Sequence, residues 1–328
     1  MWMDRIRVFC RFVVVMVVGV FLPVLCGAQA GSARPIARPR ITGISHVGYY
    51  VSDLPKALEF WHGLLGFDES YELKDPKTGA VQIAFVKIND HQHVELFTGA
   101  PTAAPSMLSH VCFSVESLAQ MRAHLTAQGV AIRPGNAKTR MGDSALEITD
   151  PDGMEVEFVQ SLPDGVEAKL AGKFEPAERI STKIYHAGFI VGNSQASLDF
   201  YGKVLGFTET WRGGANPAEL SWINMKVPDG DDYVEFMLYR TFDPKRLGTM
   251  NHLSLAVPDI DRAVAALKAR PAFASYGKPL EVHLGVNRKR QVNLYDPDGT
   301  RVELMEPFTI DGKVTPPSSA PPPPASHD

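Results

Sequence analysis

Four stretches of this chain open in the same way, and that repetition constrains the fold more than any other feature of the sequence. Ile44-Ser45-His46-Val47-Gly48-Tyr49-Tyr50-Val51 is matched by Ile184-Tyr185-His186-Ala187-Gly188-Phe189-Ile190-Val191. Shorter copies stand at His110-Val111-Cys112-Phe113-Ser114-Val115 and His252-Leu253-Ser254-Leu255-Ala256-Val257. The openings start near residues 44, 108, 184 and 250, so each unit is about 60 to 75 residues long. That length holds one strand, one helix and three further strands. Apolar stripes at helical spacing supply the helices: Leu54, Ala57, Leu58 and Trp61; Leu118, Met121 and Leu125; Leu198, Tyr201, Val204 and Leu205; Ile260, Val264 and Leu267. The pattern predicts an α+β chain of four βαβββ modules; we take them to pair first with second and third with fourth into two domains with cupped mixed sheets, while exchange of modules between the chains of a dimer is the alternative.

Alternation assigns the faces of each opening strand. Val47, Tyr49 and Val51 share one side and His46, Gly48 and Tyr50 the other, while Val111, Phe113 and Val115 stand opposite His110, Cys112 and Ser114. The apolar side takes the helix, so the His side looks into the concave face. Two residues past each His stands Gly48, Cys112, Gly188 or Ser254, small enough to leave room for a ligand. Each unit also closes in a strand with a carboxylate between apolar neighbours: Val94-Glu95-Leu96, Val156-Glu157-Phe158, Val234-Glu235-Phe236 and Val302-Glu303-Leu304. The His-to-Glu intervals of 49, 47, 49 and 51 residues point to one common plan.

Two units side by side would bring two His and two Glu to one cavity. Two carboxylates held close inside a barrel cannot both stay ionised without a counter-charge, and a divalent cation supplies it while leaving the imidazoles neutral. The donors suit zinc, nickel, iron, manganese or cobalt, with up to two ions per chain. A single His or Glu on a strand is most often a hydrogen-bonded core or rim residue. Eight of them in register across four repeats call for a different explanation.

The other segments divide the chain into an export signal at 1–30, a linker at 31–40, a first domain at 41–162, a polar linker at 163–180, a second domain at 181–310 and a Pro-rich tail at 311–328, read as disordered or polyproline. Arg5, Arg7 and Arg11 give a positive start, an apolar run extends from Phe12 to Leu25, and Ala28-Gln29-Ala30 places cleavage before Gly31. The run is short for a membrane span and holds Gly19 and Pro23, so an uncleaved anchor is the weaker alternative and the mature chain is expected to be periplasmic or secreted, without stable membrane insertion. Cys10 and Cys26 leave with the signal, which excludes an intramolecular disulfide and makes Cys112 a packed core residue. A net charge of −4 and the absence of a basic run argue against nucleic acid; the expected partner is a small-molecule substrate, and the chain a monomer or homodimer.

The pattern resembles the vicinal oxygen chelate superfamily, which includes glyoxalase I, extradiol ring-cleaving dioxygenases, methylmalonyl-CoA epimerase, fosfomycin-resistance enzymes and bleomycin-binding proteins. The run from His46 through Phe60-Trp61 to Leu65-Gly66-Phe67, with its copy from His186, is similar to the glyoxalase I opening signature, with Trp61 and Ala187 as departures. The resemblance covers about Ile41 to Phe308 and implies metal ligands at His46, Glu95, His110 and Glu157, and again at His186, Glu235, His252 and Glu303. It implies a glyoxalase I-like lyase or isomerase that works through a metal-chelated enediolate on a small carbonyl substrate, with Glu157 and Glu303 as bases and Glu95 and Glu235 as partners in proton transfer. An extradiol dioxygenase with non-haem iron on His186, His252 and Glu303 is the rival reading. Glu235 and Asn293 depart from that family's pattern, where a His beside the ligands and an acid/base Tyr stand, while His283 lies close to another of its catalytic His positions. Non-catalytic small-molecule or drug binding is the third reading, although such members usually dispense with the ligands.

Several other residues are expected to be ordinary. His91 and His93 are read as a polar strand entry, His62 and His124 as solvated helix residues, and Arg288-Lys289-Arg290 as a charged loop. Glu155 shares a face with Glu157 and is placed at the cavity mouth.

Overall fold

A computed structural model describes residues 36–99, 107–135, 138–238 and 250–325; the segment expected to be an export signal, with Cys10 and Cys26, lies outside the described residues. The first sheet is built from β1 (Ile41–Val51), β2 (Glu69–Lys74), β3 (Val81–Asn89), β4 (Gln92–Thr98), β5 (Leu108–Val115), β6 (Ser144–Thr149) and β7 (Glu155–Gln160), in the order β2-β3-β4-β1-β5-β7-β6. The second contains β8 (Ile184–Ile190), β9 (Thr208–Gly213), β10 (Trp222–Lys226), β11 (Tyr233–Met237), β12 (His252–Ala256), β13 (His283–Leu284), β14 (Lys289–Tyr295) and β15 (Arg301–Thr309), in the order β13-β14-β15-β12-β8-β11-β10-β9.

One rule generates both sheets. The first and last strands of every module pair in parallel, as β1 with β4, β5 with β7, β8 with β11 and β12 with β15. A parallel pair needs a crossover, which the module's helix provides. Modules then join antiparallel through their first strands, β1 with β5 and β8 with β12. The first module therefore pairs with the second and the third with the fourth, within one chain. The second module falls short of βαβββ: its expected middle strand is reduced to the bridge Ile132↔Ile148, next to Pro134, which has no N–H to continue a ladder.

The four module helices begin at side-chain caps. Asp53 precedes α1 (Leu54–Leu58), Ser117 precedes α2 (Leu118–Ala127), a short α3 spans Val166–Lys169, Asn193 precedes α4 (Ser194–Leu198), Asp259 precedes α5 (Ile260–Lys268), and α6 spans Phe273–Tyr276. In the odd modules α1 and α4 run on as single π-helical stretches, Glu59–Leu64 and Asp199–Val204. Trp61, Tyr49, Tyr201, Phe113 and Phe236 are fully buried, each contributing on the order of 1.5–3 kcal/mol, and the buried residues of all four modules form one continuous apolar cluster.

Each domain clasps the other by its last hairpin. Asp152, in the first Asp-Pro-Asp-Gly turn, accepts from Gly192 N at 3.0 Å, Asn193 N at 3.2 Å and Ser197 Oγ at 3.0 Å, while Asp150 Oδ2 accepts from Tyr201 OH at 3.1 Å. In return Asp298 accepts from Ser52 N at 3.0 Å and from Ser52 Oγ. Nearer the strands, Gln92 donates to Ile44 O at 3.1 Å and Ile184 O at 3.3 Å, and accepts from Ile184 N at 2.8 Å.

Three expectations need correction. His124 is buried rather than solvated, with Nε2 2.8 Å from Val204 O and Nδ1 3.1 Å from Ile36 O, because the second-module helix packs on the third module. Lys289 and Arg290 belong to β14 rather than to a loop; Lys289 Nζ donates to Tyr185 OH at 2.6 Å and Arg290 pairs with Asp261 at 2.6 Å. The Pro-rich ending, read as disordered or polyproline, is not a free tail but is laid through residue 325 along the edge of the second sheet. Ser318 N donates to Arg212 O at 2.9 Å and Leu220 N to Pro321 O at 3.0 Å, so the tail satisfies backbone groups beside β9 and β10 that an edge would leave unpaired.

Candidate metal centres

Strand register brings the predicted residues together. Gly48 on β1 lies beside Glu95 on β4 and His110 on β5, His46 lies beside His93 and Cys112, and Cys112 lies beside Glu157 on β7. Period two puts all of these side chains on the concave face. His46 Nε2 is 3.0 Å from His110 Nε2, 3.4 Å from Glu157 and 3.8 Å from Glu95, and His110 Nε2 is 3.4 Å from Glu157 and 3.6 Å from Glu95. The second domain repeats the cluster: His186 Nε2 is 3.0 Å from His252 Nε2, 3.7 Å from Glu303 and 4.0 Å from Glu235, and His252 Nε2 is 3.6 Å from Glu235. All eight predicted residues thus meet, four in each domain.

The small residues do a job different from the one expected. A Cβ at Gly48 would stand 2.6 Å from His110 Nδ1, and one at Gly188 would stand 2.8 Å from His252 Nε2. The glycines make room for the neighbouring strand's imidazole rather than for a ligand. Cys112 is buried as expected but faces the site, with its Sγ within 4.8 Å of ligand atoms of His46 and Glu157. Its counterpart Ser254 donates to Glu303 Oε1 at 3.1 Å.

The surroundings of the two clusters differ in charge. His93 stands at the entry of β4 as expected, but it is buried there, stacks on His46 at 4.5 Å between ring centroids, and has Nδ1 2.9 Å from Glu167. Tyr233 takes the corresponding place on His186, also at 4.5 Å. Burial opposes the charge on the His93 ring, but Glu167 and Glu95 outweigh it and raise its pKa to about 10. Burial likewise raises Glu95, yet His46, His93 and His110 outweigh it and hold that carboxyl at about 2. In the second domain burial, reinforced by Glu303, pushes Glu235 up to about 8, and burial also raises Glu303. Burial drives His186 and His252 well below the usual imidazole range, with Arg301 adding to it. Glu155, expected at the cavity mouth, is half-buried opposite His110 and paired with Arg133.

A cavity of about 270 Å³ opens onto the second cluster, reaching Glu235 and Glu303 and walled by Trp211, Trp222, His283 and Asn293. The donors fit a divalent cation. Two imidazole Nε2 atoms aim at the same point from 3.0 Å apart, and buried carboxylates flank them, an arrangement that needs positive charge at its centre.

The Glyoxalase/Bleomycin resistance protein/Dioxygenase superfamily model matches residues 43–158 and 183–304. The chain belongs to that superfamily. Its two matched stretches are the two domains whose clusters have just been described. Among solved structures, a Mn(II)-bound glyoxalase from Novosphingobium aromaticivorans shares 18% identity over 87% of this chain and 89% of its own, with a TM-score of 0.64. A variant of homoprotocatechuate 2,3-dioxygenase from Brevibacterium fuscum shares 19% over 88% of this chain and 76% of its own, with a TM-score of 0.62. At such identities these neighbours speak to the superfamily fold alone. No curated protein matches the chain by sequence.

Sequence reasoning left out several residues of the superfamily site. Arg301 stands two residues before Glu303, so strand period alone could have placed it on the concave face, as it did His93 two residues before Glu95. Trp211 and Trp222 come from β9 and β10, whose short irregular strands gave no such signal.

Proposed function

We propose that the protein is an exported, divalent-metal-dependent enzyme of glyoxalase I-like lyase or isomerase type, acting on a small carbonyl substrate. One observation carries the reading: both domains bring two imidazoles and two carboxylates to one point, with Nε2 atoms 3.0 Å apart. His186, His252 and Glu303 would hold the cation in the second domain, and His46, His110 and Glu95 in the first. Bound there, a divalent cation supplies Lewis-acid stabilisation of charge on two adjacent substrate oxygens. The protein's part is to hold the substrate against Trp211 and Trp222 and to move protons. A carboxylate takes the proton from the hydroxyl-bearing carbon and returns it to the carbonyl carbon, while the hydroxyl proton passes to the former carbonyl oxygen, so the reaction is a net isomerisation. Ser254 tethers Glu303, which leaves Glu235 as the freer carboxylate; in the second domain the role of base passes from Glu303 to Glu235. In the first domain Glu95 is hemmed in by three imidazoles and Glu157 keeps the role of base.

Oxygen-dependent ring cleavage is the second reading, favoured by the His186, His252 and Glu303 cluster and by His283 in the same cavity. Glu235 and Asn293 weigh against it. Metal content per chain, oxygen uptake on a catechol panel and isomerase assays on 2-oxoaldehyde thiol adducts separate the readings. About two metals per chain with thiol-adduct turnover and no oxygen uptake supports the isomerase. Iron with oxygen consumption replaces it with the dioxygenase, and a chain that takes up no metal but binds small molecules replaces both with a binding protein.

A further inference from the structure

The cavity of the second domain contains a guanidinium that forms no ion pair among the described residues. Arg301 opens β15 opposite His252 and shares a face with Glu303 two residues on. Its Nη2 lies 2.7 Å from His252 Nδ1, and that same nitrogen is 2.9 Å from Met250 O. When His252 turns the Nε2 lone pair toward His186, its proton sits on Nδ1 and is donated to Met250 O, so Nδ1 has no lone pair left for Arg301. Arg301 Nε is buried without a partner, and although Glu235 and Glu303 lie close enough to feel its charge, neither forms an ion pair with it. The matching position of the first domain holds Glu155, which Arg133 neutralises. Arg301 thus faces the cavity of about 270 Å³ with donors unspent, beside Trp211, Trp222 and an Asn293 Oδ1 that is also buried without a partner.

We propose that this cavity takes a small substrate carrying a carboxylate in addition to its pair of adjacent oxygens, and that Arg301 selects it. A planar guanidinium receives a carboxylate through two parallel N–H donors, and the two indoles accept a flat apolar body between the carboxylate and the reacting end. The placement of the adjacent oxygens rests on the metal-dependent reading above; the carboxylate contact does not.

The test uses the full mature chain loaded with metal and two probes of equal size, 4-carboxybenzohydroxamate and its neutral counterpart 4-carbamoylbenzohydroxamate. Both offer two adjacent oxygens to a cation. Binding is followed by quenching of tryptophan fluorescence. The wild type is expected to hold the carboxylate probe about tenfold tighter, the order of one charge-assisted pair. Arg301→Gln should abolish that preference while keeping its metal and its affinity for the neutral probe, and Arg301→Lys should keep part of it. A wild type that binds both probes equally overturns the proposal, as does an Arg301→Gln variant that keeps the preference. Loss of metal from Arg301→Gln would reduce Arg301 to a prop for His252 and overturn it too. If the wild type takes up no metal, the metal reading fails, and benzoate against benzamide then tests Arg301 on its own, with equal binding overturning the proposal.

Discussion

The two domains share one ligand plan but set it in opposite electrostatic surroundings. In the first, His93 and its partner Glu167 stand behind His46, and Glu155 occupies the place opposite His110. In the second, Tyr233 backs His186, Ser254 tethers Glu303, and Arg301 stands opposite His252. The first cluster holds a carboxylate down at about 2, whereas the second pushes one up to about 8. A duplicated fold has kept its ligand positions and diversified the residues around them. Those neighbours, rather than the ligands, decide what each site can do.

The largest effect should come from removing the space that admits the second imidazole. Gly188→Ala is expected to empty the second site while leaving the first filled, and Gly48→Ala to do the reverse; metal analysis should fall from two ions per chain to one in each. Activity measured alongside names the catalytic domain, and two variants that keep full metal would break the comparison at its root.

A smaller but still large change separates ligand from base. Glu235→Gln and Glu157→Gln should lower turnover at their own sites by about 10²–10⁴-fold with little loss of metal, whereas His110→Ala should lose metal outright. Equal metal loss in all three would sink this division of roles.

The raised Glu235 sharpens the electrostatic contrast. Burial pushes Glu235 up to about 8, so at pH 7 it is mostly protonated and cannot accept the substrate's proton. Turnover at the second site should therefore rise with pH, by up to about tenfold per unit, and level off above the Glu235 pKa, with no matching change in metal content. The pH profile of Gly48→Ala, which keeps the second site alone, reads this directly. A turnover that stays flat from about pH 6 to 9 would erase the contrast.

The smallest effect is one the domains share. Burial raises Asp150 and Asp296 from 3.8 to about 6 in the two clasping turns. A carboxyl whose folded pKa lies above its unfolded value stabilises the fold below the unfolded pKa, and that stabilisation is lost as pH rises through the folded one. Asp150→Asn and Asp296→Asn should each raise Tm by about a few degrees at pH 7 and leave it unchanged near pH 3.5. A gain in only one of them would show that the clasp is not symmetric.

Much of this was legible because a strand's side chains alternate. His46 and Glu95 could be put on one face without knowing which strands were neighbours, and the helical stripe through Trp61 did the same for the core. His93 stood on that face too, yet a histidine at a strand entry looks the same whether water or Glu167 receives it. His124 was misjudged for a related reason: its helix pattern specifies one buried stripe and is silent about a second surface arriving from the third module. The ending at Thr315 to Pro321 has the composition of a free tail, and only the edge strand beside it supplies hydrogen bonds that composition cannot reveal.

The sequence by itself determined the four modules and the His and Glu that each turns to its concave face, because strand period and repeat length are local properties of the chain; that the first module pairs with the second and the third with the fourth was settled by the sheet. Only the tertiary structure decided how the ligands are tuned. Whether Glu155 or Arg301 faces the imidazole on the neighbouring strand, and whether Ser254 reaches Glu303, depends on register between strands that lie far apart in the chain. Register is set by packing and ladder hydrogen bonds across the sheet, and electrostatic coupling in a buried site follows distance in space rather than distance along the chain.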